Sequence, residues 1–152
     1  MSEPLEFTYS SARLALPFLF PGQAQREFFV NEAFARLDAV THPAVEAVMD
    51  SPPITPSIGQ TWLIGQAPTD GWTDRQGQLA TWQGSDWIFI EPVIGMAVFD
   101  KSVPQMRRFD GAWRSAQPVA LPTGGTTNDQ EARAAIASLV AALVEAGILP
   151  DA

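Results

Sequence analysis

The sequence contains no cysteine and only one histidine in 152 residues. Without cysteine there is no disulfide framework, no thiolate nucleophile and no zinc site with cysteine ligands. The single histidine, His42, has no partner at metal-binding spacing and precedes Pro43, so we interpret it as a residue at the end of a helix. The chain also lacks a phosphate-binding glycine motif and a serine beside a usable histidine. We therefore expect no enzyme, no cofactor and no metal site.

Basic residues are scarce as well. The chain has 9 Lys and Arg against 17 Asp and Glu, a net charge of -8. Binding to nucleic acid or to an anionic membrane surface needs a basic patch, so neither is expected as a partner. The apolar run Leu14 to Phe20 contains Pro17 and is far shorter than the roughly 20 residues that cross a bilayer. The first residues are acidic where a secretory signal is basic, which indicates synthesis in the cytoplasm without membrane insertion.

Turn residues and tryptophan are plentiful, with 13 Pro, 11 Gly and 5 Trp. Two segments share one pattern, in which an aromatic residue is followed by a glycine turn and then by tryptophan, and each predicts a β-hairpin. Residues 44–49 and 61–65 predict one strand each, and 93–99 predict a buried strand. The hairpins join 79–83 to 86–91 at Gly84-Ser85, and 106–109 to 112–115 at Asp110-Gly111.

Residues 23–40 predict an amphipathic helix whose core-facing side contains Phe29, Ala33, Leu37 and Val40. The apolar run just before it either packs on the domain's own core or forms a subunit contact, and the sequence leaves both alternatives open.

A second helix is predicted from the capping box at Asn128 and Glu131 to about Ala146, where Gly147 favours a left-handed cap. Its apolar positions recur at alternating spacings of four and three, as in a coiled-coil seam. Such a short seam either docks on its own domain or bundles with copies of the chain, and the long linker before it favours the bundle. The predicted oligomerisation residues are Ala132, Ile136, Leu139, Leu143 and Ala146.

The predicted fold class is α+β: a small antiparallel β-rich module with one N-terminal helix, followed by a linker and a C-terminal seam helix. The corresponding boundaries are 1–117 for the module, 118–127 for the linker and 128–152 for the oligomerisation helix.

The tryptophans have two interpretations. Each can fill the core of a small sheet protein, and an exposed one can stack on a sugar ring. The candidate glycan contacts are Trp72, Trp82 and Trp113. A glycosidase needs a pair of carboxylates, but the available aspartates, such as Asp70 and Asp110, mostly occupy turns, where aspartate is favoured for its local hydrogen bonds. We assign no catalytic residue.

Several short motifs occur together in a fixed order. They are Leu14-Ala15-Leu16-Pro17, Gly22-Gln23-Ala24-Gln25, Asn31-Glu32-Ala33, Leu37-Asp38-Ala39, Pro52-Pro53, Gly59, Gly71-Trp72, Leu79-Ala80-Thr81-Trp82, Trp87-Ile88-Phe89, Pro92 and Gly95. In this order they resemble a domain of unknown function, family 2793, found in tailed-phage fibre proteins and in gene transfer agents of alphaproteobacteria. The resemblance covers roughly residues 14 to 115.

The resemblance implies a virion structural protein rather than an enzyme. It suggests a fibre or spike subunit, or its adaptor, at the surface of a phage-like particle, on tail or capsid. The 152 residues lack the long repetitive shaft of a complete fibre, which favours the adaptor. Such proteins are usually homotrimers, which agrees with the seam helix. The implied partners are copies of the chain and other virion proteins. The alternative function is that of a carbohydrate-binding module that contacts host surface polysaccharide.

Overall fold

We describe residues 9–124 and 129–150 of a computed structural model. These residues form two helices, eight strands and a short 3-10 helix at Asp70–Trp72, which confirms the predicted α+β class. Residues 116–124 contain neither helix nor strand. The elements are α1 (Arg26–Val40), β1 (Ala44–Val45), β2 (Val48–Met49), β3 (Thr61–Ile64), β4 (Leu79–Trp82), β5 (Trp87–Ile90), β6 (Ala97–Asp100), β7 (Gln105–Phe109), β8 (Trp113–Ser115) and α2 (Gln130–Glu145).

The strands form two four-stranded sheets, with strand orders β1-β6-β7-β8 and β2-β3-β4-β5. The segment predicted as one strand at 44–49 is in fact two. Its first half, β1, pairs parallel with β6, and its second half, β2, pairs parallel with β3. This short segment therefore connects the two sheets, while the other pairings are antiparallel.

Both predicted hairpins are confirmed. In the first, Trp82 pairs with Trp87 across the turn at Gly84, whose φ is 98°. In the second, Phe109 pairs with Trp113 across Gly111, whose φ is 105°. Glycine adopts these left-handed conformations without the steric penalty of a Cβ, so the two turns depend on it.

The main core combines both sheets with α1. Val45 and Val98 of the first sheet contact Leu63 and Leu79 of the second, and Ala39 of α1 completes the cluster. All five side chains are at most 2% exposed. The two sheets and the helix are therefore one packed module.

A second cluster covers the other face of the β3–β4–β5 sheet and consists mainly of tryptophan. The ring of Trp87 lies 5.7 Å from that of Trp62, 5.2 Å from that of Trp72 and 5.0 Å from that of Trp82. Two of these contacts are edge-to-face, the geometry that aromatic quadrupoles favour. Most of the tryptophans therefore serve packing.

The predicted orientation of α1 is wrong. Phe29 is 79% exposed and Leu37 is 50% exposed, whereas the buried residues of this helix include Glu27 and Asp38. The helix itself begins at Arg26, three residues later than predicted, after Gln25 in a left-handed conformation.

The inward face of α1 combines Ala35 and Ala39 with polar residues. The polar residues bind the backbone of the preceding segment, residues 11–22, which we call the arm. The Asp38 carboxylate accepts hydrogen bonds from the Ser11 hydroxyl at 2.9 Å and from the Leu14 amide at 2.7 Å. The Asn31 side chain binds both backbone groups of Leu19, at 2.8 and 3.1 Å. Hydrogen bonds rather than apolar burial thus hold the arm on the helix.

The end of α2 is as predicted and its start is shifted. Gly147 has a φ of 68°, its amide donates to the Val144 carbonyl, and the Ile148 amide donates to the Leu143 carbonyl, each at 2.9 Å. This is a Schellman cap. The N-cap is Asp129, whose carboxylate accepts from the Ala132 amide at 2.9 Å. The predicted capping residue, Asn128, lies outside the described residues.

Candidate functional site

The predicted seam of α2 lies on the surface of the single chain. No residue of this 16-residue helix is buried, Ile136 is 42% exposed and Leu139 is 61% exposed. Of the remaining predicted positions, Ala132 and Ala146 are exposed and Leu143 is half-buried. The structure therefore leaves the apolar seam without a covering element among the described residues.

The side of α2 away from the seam is turned toward the linker. An open apolar groove of about 390 Å³ lies between them. Its lining consists of Val119, Leu121, Ala137, Val140, Ala141, Val144, Glu145 and Pro150. Arg133 also donates hydrogen bonds to the carbonyls of Pro122 and Gly124.

The C-terminal end of α2 is anchored on the β-rich module. The Gly147 carbonyl accepts from the Met106 amide of β7 at 2.9 Å, and Leu149 is only 8% exposed. The helix is consequently fixed at its last turn, and its apolar seam remains accessible.

The three candidate glycan contacts do not form one platform. Trp72 is 0% exposed, so a glycan has no access to it in this structure. Trp82 is half-buried against Trp87 in the tryptophan cluster. Trp113 packs on the main core instead, beside Phe109 at 5.4 Å between ring centres. Of the three, Trp82 and Trp113 retain partly accessible rings, and they belong to separate clusters.

Trp113 separates two surface clefts, of about 340 Å³ and about 260 Å³. Both clefts are lined by Trp113 and Gln66. The indole nitrogen donates to the Gly77 carbonyl at 2.7 Å, which fixes the orientation of the ring. The larger cleft also contains Asp50 and Arg107, and the smaller one contains Glu91. A fixed indole surrounded by amide, carboxylate and guanidinium groups is suited to a polar ligand with an apolar ring face.

Asp100 positions the arginine of the larger cleft. Its carboxylate is 0% exposed and accepts from the Arg107 Nε at 2.7 Å and from the Ser102 hydroxyl at 2.6 Å. Burial raises the pKa of Asp100, but the hydrogen bonds from Ser102 and Arg107 outweigh it and hold that pKa below its ordinary value. The terminal guanidinium nitrogens of Arg107 make no hydrogen bond to a described residue, and Arg107 lines the cleft. They are available to an acceptor on a ligand.

Sequence reasoning missed Asp50, Gln66 and Arg107. One signal was present for Arg107, since it alternates with Gln105 and Phe109 along β7, and a charged residue at an inward-facing strand position is unusual. Asp50 and Gln66 follow β2 and β3, and their proximity depends on the parallel pairing of these strands, which no local pattern predicts.

Within residues 9–124 and 129–150, no group of three or more metal-ligating side chains occurs, and no helix is long and apolar enough to cross a membrane. No curated protein matches the chain. Residues 30–114, more than half of the sequence, match the family described as protein of unknown function (DUF2793). The chain therefore belongs to the DUF2793 family.

Proposed function

We propose that this protein is a structural subunit of a phage or gene-transfer-agent particle, either a fibre or spike subunit or the adaptor that anchors one. It assembles as a homotrimer through the seam of α2 and contacts other virion proteins at the particle surface. The virion setting rests on the resemblance to phage fibre and gene-transfer-agent proteins.

The observation that carries the proposal is the exposure of the seam. The terminal helix α2 has no buried residue, and its apolar residues Ile136 and Leu139 are both exposed, at 42% and 61%. An isolated helix of this length is marginally stable in water, so packing against copies would stabilise it.

The test replaces Leu139 and Leu143 with Asp in the full chain. Burying two carboxylates in a helix bundle is strongly unfavourable, so the assembly should dissociate toward a mass near 16.4 kDa at protein concentrations that leave the wild type assembled. The matched control replaces Ala134 and Ser138 with Asp, since both are exposed, lie on another face of the same helix and have the same spacing of four residues. The control should keep the wild-type mass. An assembly that survives Leu139→Asp/Leu143→Asp would refute the seam.

A second function, carbohydrate binding, is supported by the clefts beside Trp113. The indole is fixed by Gly77, and Arg107 presents its terminal guanidinium nitrogens in the same cleft as the Asp50 carboxylate. These groups suit a hydroxyl-rich ligand with an apolar ring face.

Its test is a fluorescence titration with capsular and lipopolysaccharide glycans. Binding should change tryptophan emission in the wild type and in Trp82→Phe, whereas Gln66→Ala should weaken binding and Trp113→Phe should remove most of the change. No response to any glycan in the wild type would count against this function.

A further inference from the structure

The outward face of α1 carries a second apolar surface that the proposed seam does not involve. Phe28 is 70% exposed and Phe29 is 79% exposed, while Leu37 is 50% exposed. Phe29, Ala33 and Leu37 follow one another at intervals of four residues, so they form a single stripe along the helix. Phe28 precedes Phe29 and lies at the edge of this stripe, about 100° away from Phe29 around the helix axis. Exposed phenylalanines of this number on one short helix are uncommon in a soluble protein.

The arm adds an exposed phenylalanine near the start of α1. Leu19 is held by the Asn31 side chain, one helical turn from Phe28, and the next residue, Phe20, is 51% exposed. Because Asp38 and Asn31 bind the arm through hydrogen bonds, the apolar side chains of this region are free to face outward. We call Phe20, Phe28, Phe29 and Leu37 the α1 surface.

The size of the α1 surface is that of a contact between copies. The four side chains expose on the order of 450 Å² of apolar area. The largest apolar patch of an ordinary monomer is about 300 to 600 Å² and is often functional. Complete burial of these side chains in two neighbouring copies would remove roughly twice this area from water, just below the total of about 1,000 Å² that a specific interface requires, before the polar rim is included.

The charge distribution also favours a second copy. The chain carries a net charge of -8, so most surfaces of two copies repel one another. The outward charged side chains of α1 are Arg26, Glu32 and Arg36, and Glu32 and Arg36 form an ion pair at 2.9 Å. A contact between copies through this face therefore does not bring two negatively charged surfaces together.

We propose that the α1 surface is a contact between copies of this chain, formed by the same face of each copy and additional to the α2 seam. The same face of three copies can meet around one axis, as in a three-helix bundle, so the contact is compatible with a trimer. It joins the β-rich modules directly, whereas the seam joins only the terminal helices.

The absence of native cysteine allows a direct test by cross-linking. The full chain carrying Phe29→Cys is treated with a short bismaleimide, and its rate of covalent dimer formation is compared with that of Ile54→Cys. Ile54 is 99% exposed and lies outside α1, which makes it the matched control for accessibility. We expect the Phe29→Cys variant to cross-link at least tenfold faster, and Phe28→Ser in the same chain to reduce that rate toward the control. Equal rates for the two single-cysteine variants would overturn the proposal.

A second comparison separates the α1 surface from the seam. Phe28→Ser/Phe29→Ser changes only exposed side chains, so the chain should fold. On dilution, its assembly should dissociate at a protein concentration several-fold higher than the concentration at which the control, Ile54→Ser/Ile94→Ser, dissociates. An unchanged concentration dependence, together with dissociation by Leu139→Asp/Leu143→Asp, would retain the seam and overturn the α1 contact. If Phe29→Cys cross-links rapidly and Leu139→Asp/Leu143→Asp leaves the assembly unchanged, the α1 contact would be retained and the seam refuted.

Discussion

At the scale of single residues, Gly59 lies where the arm packs closely on the β-rich module. Its φ is 83°, and a Cβ built at this position would lie 2.5 Å from the Cβ of Ala12. Gly95 has a similar φ of 93° but nothing within 4 Å of the added atom. Both glycines have a left-handed backbone conformation, but only Gly59 lacks room for a Cβ atom.

We therefore predict that Gly59→Ala destabilises the fold more than Gly95→Ala. Both substitutions carry the left-handed penalty of about 1 to 2 kcal/mol, and Gly59→Ala adds an overpacking term of about 1 to 3 kcal/mol. Denaturant unfolding of the two variants measures the difference. Equal unfolding free energies would show that the arm does not pack on Gly59.

Asp100 gives a prediction with a pH dependence. Its pKa is lowered in the folded chain, so its ionised form stabilises the fold above the ordinary pKa, and this stabilisation is lost as the pH falls through the lowered value. Asp100→Asn should reduce the unfolding free energy at pH 7 by about 2 to 4 kcal/mol, because Arg107 loses its buried partner. Below about pH 4, the unfolding free energy of the variant should also fall less steeply with decreasing pH than that of the wild type.

The control for this experiment is Asp110→Asn. Asp110 is partly exposed and both of its arginine partners are exposed. Hydrogen bonds from Arg114, with the charge of Arg108 adding to them, lower its pKa as well. Solvent screens such a pair, so the loss of stability should be much smaller than that for Asp100→Asn. Similar losses of unfolding free energy for both variants would show that burial does not make the Asp100–Arg107 pair more important for stability than the exposed pair.

At the scale of elements, α2 shows where sequence reasoning succeeds and α1 shows where it fails. The end of α2 was predictable because the Gly147 cap is a local signal, and both hairpins followed from glycine at Gly84 and Gly111 in the same way. The orientation of α1 was not predictable from its periodicity. Periodicity assumes that the inward face is apolar, and Asp38 instead turns inward to bind the arm.

The division of residues 44–49 between two sheets was missed for a related reason. An alternating pattern predicts one continuous strand, whereas the parallel partners of β1 and β2 lie far away in sequence, in β6 and β3. The same non-local pairing brings Asp50 and Gln66 into the cleft. Of the candidate glycan contacts, the tryptophans were recognisable by type, but no local pattern distinguishes the buried Trp72 from the partly accessible Trp113.

Attachment of the arm is a testable property of α1. The Ser11 hydroxyl and the Leu14 amide both donate to Oδ1 of Asp38, and the Arg13 amide donates to Oδ2, so Asp38→Asn places amide hydrogens opposite at least one of these donors. We expect hydrogen exchange at residues 11–16 to accelerate by at least tenfold and the unfolding free energy to fall by about 1 to 3 kcal/mol. Glu32→Gln, which alters only an exposed ion pair on the same helix, is the control. Unchanged exchange in Asp38→Asn would mean that other contacts hold the arm.

At the scale of the whole molecule, the chain exposes two apolar helix surfaces, one before the linker in sequence and one after it. Ile136 and Leu139 mark the seam of α2, and Phe28 and Phe29 mark the α1 surface. A monomer would leave both in water, which favours unspecific association. Assembly into a closed trimer would cover the seam and hold the modules together, as a fibre or spike component requires.

The native mass of the purified full chain, measured by light scattering, is the first test of this assembly. The account predicts about three times the chain mass of 16.4 kDa. A mass of 16.4 kDa that does not rise over a wide range of protein concentration would contradict it.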